Sequence, residues 1–464
     1  MVFSSLLFLY FFLPASVILY FLAPGMKLKN FILLVFSLIF YAWGEPVWIV
    51  LLLFSSIVDF YLGMFIDKFR GQKVSGLLLV ASVVINLSML MTFKYADFFT
   101  SNFNFIFGTS VPLPGITLPI GISFYTFQTL SYSIDVYRNQ VPVQKSFLNY
   151  MVYVSMFPQL VAGPIVRYSE VVGDIDKRTS DWPLIISGIN RFCLGLFKKV
   201  FIANTASILV DKYLELQFLQ LSSPEAWFGI AMFSIQIYFD FSGYSDMAIG
   251  MGRIFGFRFL ENFKHPYAAI SVADFYKRWH MSLGRFFRDY VYIPLGGNRK
   301  YQYRNVMVVW LLTGFWHGAS WNFVLWGAFF GCFMILEKWL EKPLGYTPRI
   351  FKHGYTLVLI VFSRAIFYFV DFDKLKFMVV NLFHSPNPIG AGFQGDLTGY
   401  AYFFVLVILF CIPWNEIFPP ESQTNQRFSR LYAQSAPVLN ILFIALCTVM
   451  LADATYNPFI YFRF

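Results

Sequence analysis

Long apolar runs separated by short polar segments are the main pattern of the chain. A helix needs about 20 mostly apolar residues to cross a bilayer. Several runs reach this length, others are too short to cross alone, and the longest can bend or divide. The pattern predicts an all-α polytopic membrane protein with about ten to thirteen transmembrane or re-entrant helices. The apolar runs are 6–21, 31–43, 48–66, 77–93, 118–130, 184–209, 226–255, 306–336, 355–369, 400–412 and 436–451.

The composition of the 464 residues supports the same prediction. Hydrophobic residues make up 58% of the chain and charged residues only 13%, whereas soluble domains carry about 25% charged residues. A soluble globule would therefore lack a polar surface, and disordered chains need more charge. No linker or low-complexity tract divides the sequence, so residues 1–464 are predicted to form a single integral-membrane domain. The four cysteines show no CxxC or zinc-like spacing, and we expect no metal site.

The positions of the basic residues predict the orientation of the chain in the membrane. No basic residue precedes Lys27, so the first run lacks the basic start of a secretory signal and is expected to remain as a span. Lys27 and Lys29 follow the first run, and Lys68, Arg70 and Lys73 follow the third. Positive loops face the cytoplasm, so we expect a periplasmic N-terminus. The net charge of +10 then indicates topology, because a nucleic-acid surface would need it on a soluble face.

The largest polar segment, 264–304, combines basic and aromatic residues. Residues three and four apart share a helical face, so Tyr276 and Trp279, and Phe286 and Tyr290, are expected to lie on the membrane while the arginines point elsewhere. Two interpretations stay open: a helix pair held at anionic lipid headgroups, or a cytoplasmic entrance for a phosphate-bearing ligand. The basic residues of this segment are Lys264, Lys277, Arg278, Arg285, Arg288, Arg299, Lys300 and Arg304.

A histidine lies inside the apolar run 306–336, in the sequence T-G-F-W-H-G-A-S-W-N. Ionisable side chains in hydrocarbon are costly and indicate functional sites by default. About 18 Å of helix separates Asn305 from His317, which would place His317 near the middle of the membrane. Gly314 and Gly318 allow backbone or ligand to approach closely. A general base, a structural histidine and a metal or haem ligand all remain open.

Two further polar clusters stand out. His280 follows Trp279 in R-W-H, and by itself it fits an interfacial histidine better than a catalytic one. The sequence Y-F-D-F-S-G-Y-S-D-M-A at 238–248 places Asp240, Ser242 and Asp246 in an apolar run. The two carboxylates lie six residues apart and do not share a helical face, so network residues are expected rather than a catalytic pair. The proline- and glycine-containing segments 118–128 and 157–165 predict kinked or re-entrant walls.

Four motifs in the same order resemble the membrane-bound O-acyltransferases. They are L-P-I-G-I-S-F-Y-T-F at 118–127, Y-F-D-F-S-G-Y-S-D-M-A at 238–248, R-W-H at 278–280 and G-F-W-H-G-A-S-W at 314–321. The chain is most similar to the bacterial branch that contains the membrane subunit of alginate O-acetylation, with peptidoglycan, cellulose and teichoic-acid D-alanylation relatives. The resemblance implies a ring of helices around a thin central wall with a tunnel.

The resemblance also implies roles for particular residues. His317 matches the intramembrane catalytic histidine, and His280 matches the second family position, where many eukaryotic members have asparagine. Acetyl-CoA from the cytoplasm is the implied donor substrate, with no bound cofactor, and the basic segment would suit its phosphates. The residues expected to line the tunnel or to contact the donor are Trp316, Asn322, Asp240, Ser242, Asp246, Arg278 and Trp279.

The aromatic sequence N-P-F-I-Y-F-R-F at 457–464 resembles a terminal motif of this branch. Tyr461 is therefore a candidate acyl relay, although an aromatic anchor at the outer interface explains the motif equally well. Delivery to a polysaccharide is expected to need a separate periplasmic transferase of the SGNH type. A transporter or flippase and a non-catalytic scaffold are the alternative functions, and the acetylated polymer stays open.

Overall fold

A computed structural model of the protein describes residues 1–160, 163–418, 423–453 and 459. These residues form helices joined by turns and loops, and no strand occurs among them, which confirms the predicted all-α fold. The α-helices are α1 (Leu13–Leu22), α2 (Gly25–Gly44), α3 (Ile49–Lys68), α4 (Lys73–Leu90), α5 (Ala96–Phe107), α6 (Ile122–Tyr137), α7 (Phe147–Ser155), α8 (Tyr168–Asp176), α9 (Trp182–Phe197), α10 (Asn204–Val210), α11 (Ser223–Ile254), α12 (Val272–Arg278), α13 (Met281–Phe287), α14 (Gln302–His317), α15 (Trp321–Trp339), α16 (Glu341–Tyr346), α17 (Arg349–Tyr368), α18 (Phe372–Phe383), α19 (Phe393–Gly399), α20 (Ala401–Cys411), α21 (Trp414–Ile417) and α22 (Gln423–Asp453).

Six helical segments of the described chain are long and apolar enough to cross a membrane. The bent pair α19 and α20, which meet at 61°, would make a seventh. The protein is therefore a multi-pass membrane protein, as predicted. The six segments are Gly25–Gly44, Ile49–Lys68, Lys73–Phe107, Trp182–Leu216, Arg349–Tyr368 and Gln434–Ala452.

The ten to thirteen helices expected from the sequence include re-entrant ones, whereas this count covers only described helices that are long enough to cross. Some apolar runs form helices that are too short, such as the 16-residue α6, which begins after Gly121 with a positive φ of 81°. The run 306–336 divides into α14 and α15, because the backbone at Gly318 is extended. Runs of apolar residues thus overestimate full spans where helices end inside them.

The contacts divide the chain into two compact units. Unit 1 contains residues 1–192 and 244–260, and unit 2 contains residues 193–243 and 261–464. The interpretation of residues 1–464 as one integral-membrane domain stays a prediction.

Unit 1 is organised around a buried carboxylate on α3. Asp59 is fully buried, and its two oxygens accept hydrogen bonds from Ser82 Oγ at 2.5 Å and Asn86 Nδ2 at 2.7 Å on α4. Ser133 Oγ on α6 also donates to Asp59, at 3.4 Å. A buried polar group is costly unless it is hydrogen-bonded, so these bonds explain how Asp59 is accommodated between three helices.

Unit 2 contains a tightly packed helix pair, α14 and α15. A Cβ on Gly314 would overlap the backbone oxygen of Phe323, and a Cβ on Gly327 would overlap that of Trp310. The two backbones therefore touch at residues that have no side chain. The close approach predicted at Gly314 and Gly318 is confirmed, and Phe323 of the protein itself occupies the space at both glycines.

The basic segment 264–304 forms two short helices, α12 and α13, followed by the π-helical turn Arg288–Tyr292. Several of its aromatic side chains pack inside unit 2: Trp279 and Phe286 are buried, and the Tyr276 ring lies 4.3 Å from that of Trp310. Three of the four aromatic residues expected at the lipid surface therefore pack against the protein instead, whereas Tyr290 is half-buried.

Candidate active site

A cavity of about 230 Å³ inside unit 2 is lined by both histidines that the sequence singled out. α12, α13, α14 and α15 supply most of its wall. His280 and His317 are 37 residues apart in the chain, yet both line this cavity. Further lining residues include Tyr276, Trp279, Arg288, Tyr292, Thr313 and Trp326.

His317 is the last residue of α14 and is 6% exposed. Its ring is surrounded by aromatic rings, with centroid distances of 5.0 Å to Trp316, 5.1 Å to Trp326 and 5.4 Å to Phe367. The helix ends there because Gly318 is extended. The imidazole is thus presented to the cavity from a helix end, in an almost entirely aromatic environment.

His280 is held between α12 and α13 in a strained backbone conformation. Its φ of 46° is left-handed, which is uncommon for a residue with a Cβ. The ring packs edge-on against Phe241 at 4.7 Å. Strain of this kind persists where the surroundings enforce it, and it clusters at functional sites.

The hydrogen bonds of His280 define which ring nitrogen is free. Asn262 Oδ1 accepts from the Ser282 backbone N–H at 3.1 Å and from Ser282 Oγ at 2.8 Å, and it also lies 3.3 Å from His280 Nδ1. Because an amide oxygen can only accept, His280 Nδ1 is the donor in this contact. With the proton on Nδ1, Nε2 carries the lone pair, and it has no hydrogen-bond partner within the described residues. Burial, together with the Arg285 guanidinium, lowers the pKa of His280 to about 3. The ring is therefore neutral at physiological pH.

Acidic side chains hold α12 at both of its ends. Glu337 of α15 accepts from the Val272 backbone N–H at 2.8 Å, at the start of the helix. Arg278 binds Asp274 at 3.0 Å and Glu416 at 2.7 Å, and it does not line the cavity. Trp279, the next residue, does line it. Arg278 and Trp279 were both expected to contact the donor, but Arg278 is held in ion pairs and only Trp279 lines the cavity.

Trp316 contacts the His317 ring directly, whereas Asn322 is connected to it through the end of α17. The Trp316 ring lies between the two histidines, 6.0 Å from His280 and 5.0 Å from His317. Asn322 Nδ2 donates to the backbone oxygens of Ile366 and Phe367, both at 3.2 Å. Asn322 therefore anchors the end of α17, whose Phe367 packs against His317.

The polar residues of α11 form buried ion pairs. Asp240 binds Lys199 at 2.5 Å within unit 2, and Asp246 binds Arg191 at 2.6 Å within unit 1. Ser242, which lies between these two aspartates in the sequence, is also buried. None of the three lines the cavity, and their expected tunnel or donor-binding role stays a prediction. Tyr461 lies outside the described residues.

One candidate residue was missed at the sequence level. Arg364 of α17 is 2% exposed and lies inside a candidate span, with its guanidinium 4.6 Å from the Trp279 ring. The signal was present, because a lone arginine in the apolar run 355–369 is itself an indication of function.

These features define a multi-pass helical membrane protein with two histidines at one internal cavity. The model of the membrane-bound O-acyltransferase family matches residues 138–370. The chain belongs to this family and is an O-acyltransferase.

Curated relatives cover most of the chain. A probable alginate O-acetylase of Pseudomonas putida is 40% identical over 79% of this chain and 77% of its own length. The peptidoglycan O-acetyltransferase of Helicobacter pylori is 35% identical over 82% of this chain and 78% of its own length. The teichoic acid D-alanyltransferase of Bacillus subtilis is 28% identical over 48% of this chain and 60% of its own length.

Proposed function

We propose that the protein transfers an acetyl group from cytoplasmic acetyl-CoA toward an exported or cell-wall polysaccharide, in the bacterial inner membrane. The observation that carries the proposal is the single cavity that joins His280 and His317 to Arg288 of the basic segment. The Arg288 side chain is 60% exposed, so the cavity wall extends to the protein surface there.

The basic segment suits an anionic donor. The phosphates of a coenzyme would be attracted by Arg288 and its basic neighbours at the exposed end of the cavity. The cavity of about 230 Å³ is smaller than the about 300–1,000 Å³ typical for drug-sized ligands. It would therefore admit the acetyl-thioester end of the donor, with the nucleotide outside. The predicted cytoplasmic position of the basic loops and the predicted periplasmic N-terminus support donor entry from the cytoplasm.

The proposed chemical step uses His317 as the general base. Its imidazole removes the proton from an acceptor hydroxyl, and the oxygen attacks the thioester carbonyl. The tetrahedral intermediate then collapses, the C–S bond breaks, and the proton passes from His317 to the departing CoA thiolate. His280, neutral and with Nε2 as acceptor, would receive a hydrogen bond from the acceptor or donor. The products are an O-acetyl ester and CoA.

The final acceptor is proposed from the relatives, two of which are named for alginate and peptidoglycan O-acetylation. We propose a polysaccharide of this kind, acetylated through a periplasmic SGNH-type transferase, with Tyr461 as a transient acyl carrier. A Tyr461→Phe protein that delivers acetyl groups at the normal rate would contradict the role of Tyr461 as acyl carrier. Acetylation of a polysaccharide by the purified chain alone would contradict the proposed requirement for a periplasmic partner.

The test measures thiol release from acetyl-CoA by protein purified in lipid nanodiscs, with a purified SGNH-type transferase and an alginate oligosaccharide supplied together as the acceptor system. His317→Ala should lower the rate by about 10²- to 10⁴-fold, the usual contribution of a general base, while the protein stays folded. His384→Ala is the matched control, because His384 is exposed and outside the cavity, and it should retain full activity. A folded His317→Ala protein with the wild-type rate would refute the proposal.

A further inference from the structure

Arg364 is a buried cation whose environment differs from that of two other basic residues in a candidate span, Lys199 and Arg191. It lies on α17, inside a candidate membrane span, and is 2% exposed. Lys199 and Arg191, by contrast, each bind an aspartate, at 2.5 and 2.6 Å. Removing a charge from water is costly without a partner, so an arginine at this position requires an explanation.

The surroundings of Arg364 contain aromatic rings and neutral phenols. In the described part of the chain, its Nε and Nη2 atoms have no hydrogen-bond partner, and no ion pair includes it. Tyr267 forms a side-chain hydrogen bond with Arg364, and the charge of Arg364 also acts on Tyr276, yet burial raises the pKa of both phenols above their ordinary value. Both phenols therefore stay uncharged, and no carboxylate of the described residues forms an ion pair with the guanidinium.

Trp279 connects this cation to the cavity. The Arg364 guanidinium lies 4.6 Å from the centroid of the Trp279 ring, and the same side chain lines the cavity next to His280. The positive charge is thus separated from the cavity by a single aromatic side chain. In an interior of low dielectric, a charge acts over this distance far more strongly than in water.

We propose that Arg364 is a positioning residue for acyl transfer, whose uncompensated charge stabilises the negative charge that develops in the cavity. The proposal rests on the proposed function. Attack of the acceptor oxygen places a negative charge on the thioester carbonyl oxygen, and collapse of the intermediate moves that charge to the departing sulfur. The thioester itself is neutral, so a fixed cation stabilises the transition state more than the bound substrate and lowers the barrier. Trp279 keeps the cation at a fixed distance through the cation–π contact.

The charge should also influence the histidines. A positive charge disfavours protonation of imidazole, so it lowers the pH at which an essential histidine becomes protonated. The other charged or titratable groups of the cavity wall are Arg288, Tyr276 and Tyr292, and Arg285 acts on His280. These groups are unchanged in an Arg364 variant, so a shift of the acid limb reports on Arg364 alone.

The experiment compares three variants of the full-length protein in nanodiscs, with acetyl-CoA as donor and with an SGNH-type transferase plus alginate oligosaccharide as the acceptor system. Arg364→Gln removes the charge, Arg364→Lys keeps it, and Arg349→Gln removes an exposed charge from the other end of α17. We expect Arg364→Gln to lower kcat about tenfold or more, with KM changed less than threefold and the acid limb of the pH profile moved to higher pH. Arg364→Lys should recover most of kcat and the wild-type profile, and Arg349→Gln should match the wild type.

Two results would overturn the inference. One is a wild-type kcat in Arg364→Gln. The other is an equal loss in the Gln and Lys variants with an unshifted pH profile, which a purely structural contact with Trp279 would produce. If Arg364→Gln does not purify, the Arg364→Lys protein provides the test. A tenfold loss of kcat in that protein with an unshifted pH profile would contradict a charge effect, because the charge is kept. His317→Ala, assayed in parallel, separates this outcome from failure of the general-base proposal.

Discussion

Two buried polar regions of the chain differ in how their polar atoms are satisfied. In unit 1, both oxygens of Asp59 accept hydrogen bonds from the side chains around them. In unit 2, the cavity wall includes His280 Nε2, Tyr276 Oη and Trp326 Nε1, which have no partner within the described residues. Buried polar atoms are nearly always hydrogen-bonded, and the exceptions need an explanation. The first region is built for stability, and the second has free hydrogen-bonding capacity for a ligand.

One ion pair of α11, between Asp240 and Lys199, extends this comparison within unit 2. Asp240 and Lys199 are both almost completely buried and neutralise each other. They therefore resemble the Asp59 region, although they belong to the same unit as the cavity. The comparison predicts that substitutions at satisfied groups reduce stability, whereas substitutions at the cavity reduce turnover.

The largest effect on stability is expected at the Asp240–Lys199 pair. Asp240→Asn would leave Lys199 charged and buried, which costs about 3–5 kcal/mol in the free energy of unfolding. Unfolding in detergent with increasing denaturant measures this. The double variant Asp240→Asn/Lys199→Gln should regain most of the loss, because it leaves no buried charge. An Asp240→Asn protein as stable as the wild type would show that the pair is not a buried, dry contact.

A smaller loss is expected at Asp59. Asp59→Leu removes the acceptor for Ser82 and Asn86, but Ser82 Oγ can still donate to Ser133 Oγ at 3.1 Å and Asn86 Nδ2 to the Ser82 backbone oxygen at 3.0 Å. We therefore expect a loss equal to about one unsatisfied donor, about 1–3 kcal/mol. Asp59→Asn is the milder control, because its amide keeps one acceptor oxygen. Unfolding measurements and thiol release from acetyl-CoA are compared on the same preparations. If the folded Leu variant lost turnover rather than stability, the contrast between the two regions would be wrong.

The smallest effect at neutral pH is expected at His280. Its folded pKa of about 3 lies below the about 6.5 of an unfolded histidine. The unfolded chain therefore binds the proton first, and the stability that His280 contributes falls as the pH decreases from about 6.5 toward 3. His280→Gln should show a weaker loss of stability between pH 7 and 4.5 in thermal unfolding, while the exposed control His384→Gln should behave as the wild type. Equal slopes for His280→Gln and the wild type would mean that the ring is already accessible to protons.

Some features of the fold and of the site could be predicted from the sequence, and others could not. The apolar runs identified the membrane class and the division of 306–336, because hydropathy is a property of neighbouring residues. His317 and His280 were singled out by their positions and by the motif resemblance. The aromatic residues of 264–304 were expected at the lipid surface, and Trp279 and Phe286 are buried instead. The helical period defines which residues share a face, but it does not say whether lipid or another helix covers that face.

The sequence by itself determined the class of protein, the presence of a histidine and of charges in apolar runs, and the motif positions of both histidines, because these follow from residue type and local order. Only the tertiary structure decided that His280 and His317 line one cavity, that Asp240 is neutralised by Lys199, and that Arg364 packs against Trp279 with no ion pair to a described carboxylate. These relations join residues from about 40 to 85 positions apart, and packing of separate helices, which local order does not encode, brings them together.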